Sequence, residues 1–152
     1  MSTNNMHFLH IPYKKQGEIK LKIDKLQQKI DDVYYWDAKV LDFNISFFGD
    51  EIIIILENDK ETNFMLKFLD CYKVEYETDA VKREIDLSVK NMNRGQLAYY
   101  AHDITIQESL IVDFIEVNLT LAPLFIKIIC KDIQVEKVIH DDKNFFWDNN
   151  IK

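Results

Sequence analysis

The 152 residues are 47% hydrophobic and 30% charged, with three Gly and two Pro, which excludes a disordered chain and a Gly-rich phosphate cradle and suits one domain, 1–152. A formal charge of −7 works against the counterion release that drives nucleic-acid binding and against docking on anionic lipid, and favours a basic protein partner. The opening "MSTNNMHFLHIPYKK" lacks an apolar signal core, and the longest apolar stretch, Leu119 to Cys130, is too short and interrupted to span a bilayer, so the chain reads as cytoplasmic.

The spacing of Ile19, Ile23, Leu26 and Ile30 lines one helix face and predicts a helix over about 17–31. Past Tyr34-Tyr35-Trp36-Asp37 the period becomes two. Leu41, Phe43, Ile45 and Phe47 alternate with polar residues, the mark of a half-buried strand. Gly49 in "FGDE" suits a turn with positive φ. Ile52 to Leu56 is uniformly apolar and fits a strand covered on both faces. Further strands are expected at Phe64–Leu69, Lys73–Glu77 after a bend near Asp70, Ile85–Val89, Ile104–Ile106, Ile115–Leu121 before Pro123, and within Ile126–Val138. "NMNRGQLAYYA" breaks the pattern and suits a helical turn, and Phe145-Phe146-Trp147 is placed to dock the tail.

The expected architecture is α+β and mainly antiparallel: an N-terminal helix packed on about eight strands, as a sandwich or strongly curved sheet. The strands fall into two similar meanders, about 34–90 and about 99–140. "YYWDAKV" lies over "YYAHDIT", and "NFMLKFLDCYKVEY" over "LFIKIICKDIQVEK". Strand alternation alone also imposes such likeness.

Chemistry is sparse. There is no nucleophile elbow and no zinc spacing. Cys71 and Cys130 lie in apolar runs and read as buried, reduced thiols. His102-Asp103 and His140-Asp141 are the adjacent His–acid pairs; brought together they would offer a metal or small-ligand site, though neighbours on a strand point to opposite faces. His7 and His10 read as incidental. The turn acids Asp50, Glu51, Glu57, Asp59 and Glu61 form a candidate acidic patch for a basic partner, with Tyr99 and Tyr100 as aromatic contacts.

"W-D-A-x-V" at Trp36, "G-D" at Gly49-Asp50, "FMLKF" from Phe64, and "C-Y-K-V-E" from Cys71 together resemble small β-rich bacterial proteins encoded beside polymorphic toxins. Some of these are immunity proteins and others are YxiG-like and uncharacterised. The histidine that such relatives carry beside this tryptophan is absent here. The resemblance implies a non-enzymatic protein, without cofactor, that neutralises a cognate toxin, and the acidic charge suits a basic toxin domain. The alternatives left open by the residues are a small-ligand or metal-binding protein and a homodimeric structural protein.

Overall fold

The computed structural model describes residues 13–142 and 144–150; His7 and His10 lie outside them. Helix α1 spans Tyr13–Asp31, four residues longer at its start than its apolar spacing indicates. Leu26 and Ile30 are buried, whereas Ile19 and Ile23 are half-buried, so the packed face deepens toward the helix's C-terminal end.

Eight strands follow: β1 Val40–Ser46, β2 Glu51–Glu57, β3 Thr62–Leu69, β4 Lys73–Glu77, β5 Asp103–Glu108, β6 Ile115–Leu121, β7 Leu124–Cys130 and β8 Asp132–Ile139. All pair antiparallel, in two four-stranded sheets ordered β1-β2-β3-β8 and β4-β7-β6-β5. The α+β architecture matches expectation. The membership of the meanders does not. Each half builds a three-stranded meander, β1-β2-β3 or β5-β6-β7, and its fourth strand leaves for the other sheet. β4 pairs with β7 and β8 pairs with β3. The chain crosses between sheets at Asp70–Tyr72 and again at Lys131 alone, two corners of the kind by which strands switch sheets. Asp70, at φ 53°, makes the first of them.

The two opening segments meet at the centre of this exchange. Asp37 N–H donates to the Ala101 carbonyl at 2.8 Å, Ala101 N–H to Ala38 at 2.8 Å, and Val40 N–H to Tyr99 at 2.8 Å. Lys39 and Tyr100 form an antiparallel bridge.

The uniformly apolar β2 is buried on both faces, as its composition requires. Ile52, Ile54 and Leu56 join Leu66, Phe68 and Ile133 against Ile104, Val117, Leu119, Ile126 and Ile128 of the second sheet. On the opposite face Ile55 packs with Leu41, Met65, Met92, Leu97, Phe145 and Trp147. This second core exists because the 78–98 segment and the C-terminal tail fold across the outer face of the first sheet. Here the expected strand Ile85–Val89 does not form. The segment carries a 3-10 turn at Val89–Asn91 and satisfies its backbone locally, through Leu87 N–H to Ile85, Asn91 N–H to Ser88 and Met92 N–H to Val89. Half-buried Leu87 and Val89 pack as a cap, which alternation alone cannot distinguish from a strand. The expected number of strands is nevertheless reached, because 126–138 forms two.

An exposed strand edge is an open template for unwanted pairing. On β5 side chains close it: Gln27 donates to the Ile104 carbonyl at 2.8 Å and accepts from Ile106 N–H at 2.9 Å, while the Tyr35 hydroxyl accepts from Ile104 N–H at 2.9 Å.

Candidate functional site

The candidate acids divide between opposite ends of the first sheet, because β2 begins at one group and ends at the other. Asp50 and Glu51 sit at the β1–β2 connection, and Glu57, Asp59 and Glu61 at the β2–β3 connection. A seven-residue strand separates them by roughly 20 Å. They do not form one patch.

At the second end the acids serve their own fold. Asp59 accepts from Glu61 N–H, Thr62 N–H and the Thr62 hydroxyl at 2.7–2.9 Å. These bonds to its ionised form, the first from Glu61 N–H, hold its carboxyl below the usual value. Glu57 is paired with Arg94, whose guanidinium lies 5.6 Å from the Trp147 ring centroid. His140 follows β8; its N–H donates to the Glu61 carbonyl at 2.7 Å and its ring lies against Phe145 and Trp147. His102 and Asp103 instead open β5 in the other sheet. Among the described residues no three His, Cys, Asp or Glu side chains are grouped to hold a metal ion.

Tyr99 and Tyr100 also part. Tyr100 is exposed beside Lys39, whose ammonium lies 5.8 Å from its ring centroid. Tyr99 is half-buried, and its hydroxyl donates to Asp79 at 2.7 Å, which Arg83 grips through the same carboxylate at 2.8 Å. This trio lines a cleft of about 320 Å³ shared with Ile85, Met92 and Pro123. Burial, then the hydrogen bond to Asp79 and its charge, pushes the Tyr99 phenol up to about 12. Arg83 holds the Asp79 carboxyl below its ordinary value.

The signs follow by linkage. Tyr99, raised above its unfolded value near 10, contributes stability that is complete below pH 10 and lost as pH climbs toward 12. Asp79, depressed below 3.8, contributes stability present above that value and lost as pH falls through its folded pKa. Ultraviolet titration of the folded protein is therefore expected to show a late phenolate phase centred near 12, reduced by one tyrosine in Tyr99→Phe, where the Tyr35 phenol, raised by burial, still titrates late. A Tyr99→Phe titration that keeps the full amplitude of this phase refutes the assignment.

The two cysteines occupy the corners where strands change sheets. Tyr72 N–H donates to the Ile129 carbonyl at 2.8 Å and Lys131 N–H to Leu69 at 3.1 Å, which sets Cys71 opposite Cys130. Both are free thiols, Cys130 is buried, and Cys71 is half-buried with its thiol donating to the Phe68 carbonyl at 3.4 Å.

The alternation through Phe47 misses one surface. Strand alternation places Phe47 on the inner face of a half-buried strand, but β1 ends at Ser46 and the chain turns outward. Phe47, Phe48 and Gly49 have φ of 53°, 58° and 99°. Phe47 is 71% exposed and Phe48 fully exposed. A left-handed conformation costs an L-residue about 1–2 kcal/mol relative to its right-handed one, and only Gly, Asn and Asp take it routinely. At the same end lie exposed Tyr72 and Leu110, the Asp70 corner at φ 53°, and Asp113 at φ 71°. Four of the six non-glycine residues with positive φ among those described thus fall here. The sequence signal was available: two adjacent aromatics before Gly-Asp cannot both point inward on a strand.

A family model described as Immunity protein PIM7 matches residues 22–137, from α1 into β8. Among solved structures, the chain is similar to an uncharacterized protein from Neisseria gonorrhoeae. The two share 14% identity with a TM-score of 0.47, over 67% of this chain and 92% of that one. No curated protein matches.

Proposed function

The chain belongs to the PIM7 immunity protein family, and from that membership we propose that it binds a cognate protein toxin in the cytoplasm and neutralises it without catalysing a reaction. The observation that carries this reading is the family match, which takes in β1 to β7 and most of β8. Two features of the chain support it. No constellation of nucleophile and base stands out along the sequence. The net charge of −7 would draw in a basic toxin domain, speeding encounter at low salt.

Co-expression with the products of toxin-like genes that neighbour its own tests the proposal. Rescue of host growth and recovery of a stoichiometric complex are expected. The complex should associate more slowly as ionic strength rises, since exposed charges are screened beyond about 8 Å at 0.15 M salt. A neighbouring toxin that neither binds nor loses toxicity defeats the proposal.

A further inference from the structure

The geometry points to the Phe47–Phe48 tip as the element that docks the toxin, its two rings entering an apolar cleft on the partner rimmed by lysine or arginine. This assignment rests on the toxin-binding reading above and names its surface.

The fold gives the rings nothing to do. Phe47 and Phe48 stand in solvent at the end of the β1–β2 connection, and neither is part of a core cluster. The conformation they adopt is one that Asn-Gly would occupy with little strain. A pair of aromatics held there raises the energy of the free protein and exposes apolar area at once. Residues kept in sparsely populated backbone regions concentrate at ligand clamps and binding sites. Large, rigid rings are also the side chains most often found at the energetic centre of protein interfaces.

The surroundings specify the occupant. The Asp50 carbonyl accepts from Cys71 N–H at 2.9 Å, which brings the Asp70–Tyr72 corner against the tip. The Tyr72 ring lies 6.2 Å from Phe114, in the loop that carries exposed Leu110 and Asp113. Asp50, Glu51, Asp70, Asp113 and Asp132 lie on the connections at this end and outnumber Lys131, the Lys22 that donates to its carbonyl, and Lys73, which pairs with Glu75. Exposed rings at an end with an excess of carboxylates complement an apolar cleft with a basic rim. They repel an acidic partner and an anionic lipid surface.

Phe47→Asn combined with Phe48→Gly separates the proposal from a structural role. Binding of the double variant to the purified, catalytically inactivated neighbouring toxin domain is measured by calorimetry beside wild type, Phe48→Asp, and Val81→Asn as a control at a distant exposed site. The double variant is expected to melt a few degrees higher than wild type, because strain is relieved. It should bind at least about 30-fold more weakly, the loss typical of an interface hot spot. Phe48→Asp should lose binding with a melt no lower than that of wild type, since Asp tolerates this backbone, and Val81→Asn should bind as wild type. Tight binding by wild type with equal binding by both tip variants overturns the assignment and leaves toxin binding intact. A double variant that melts lower than wild type overturns it too, because the rings then belong to the fold. A wild-type dimer in sedimentation that the double variant abolishes reassigns the tip to self-association. Failure of wild type itself to bind removes the parent reading and this one together.

Discussion

Phe68→Ala is expected to cost about 3–5 kcal/mol, the range for removing a fully buried aromatic. That is a large share of the roughly 5–15 kcal/mol that holds a domain together. Phe68 is fully buried in β3, with Ile52 of β2 and Ile133 of β8 as its direct cross-strand partners. It faces the second sheet from a strand paired on both edges. Neither sheet can close over the void without breaking register, so the cavity term should persist. Urea unfolding should show a lower midpoint with an unchanged slope. Phe125→Ala provides the contrast, since Phe125 stands half exposed on the outer face of the second sheet; it should cost well under 1 kcal/mol. Equal losses from the two variants would show that Phe68 is not at the centre of the core.

Trp147→Ala should be nearly as damaging, about 3 kcal/mol, at the low end of the same range because a tail can relax where a central strand cannot. The indole is buried, stacks on Phe145 at 4.7 Å, and donates to the Leu41 carbonyl at 2.8 Å. Leu41 is the extra residue at the irregularity between Val40 and Asp42 in β1, where the β2 ladder skips it. The tryptophan therefore satisfies a carbonyl the sheet leaves over, and its removal strands that acceptor as well as opening a cavity. Hydrogen exchange should accelerate through Met92–Leu97, which shares the second core. A loss below 1 kcal/mol with unchanged exchange would mean that the tail merely rests on the sheet.

What was legible in the sequence was whatever one element's periodicity fixes. The face of α1 could be read from four apolar residues because a helix repeats every 3.6. The two-sided burial of β2 could be read from its unbroken apolar run. Partner choice is a property of distant segments, and it was not legible. Nothing local to Lys73–Glu77 or Asp132–Ile139 says which meander each will join, because both continue the alternation of the strand before them. The 85–89 segment misled for a related reason: three apolar residues at period two are equally a loop laid across a sheet face.

The candidate site shows the same division. Glu57, Asp59 and Tyr99 could be picked out by type, but their side chains are engaged with Arg94, the Thr62 turn and Asp79. The aromatic tip is hidden in the sequence because Phe47 fits an inward strand position until the backbone turns at Ser46. A polar residue type marks a candidate; whether it is spent on the fold depends on contacts made from far along the chain.

The exchange of fourth strands sets a timetable for synthesis. β3 is complete once Leu69 has been added, but the edge that β8 will cover stays open until Ile139 follows. At translation rates of about 5–20 residues per second, that interval lasts several seconds or more. Throughout it the nascent chain carries a hydrophobic strand edge that β8 has yet to close. β4 waits likewise for β7. Closure of the first sheet is thus deferred until β8 has been made, and a chain cut short before β8 is a sheet with an open edge, prone to clump.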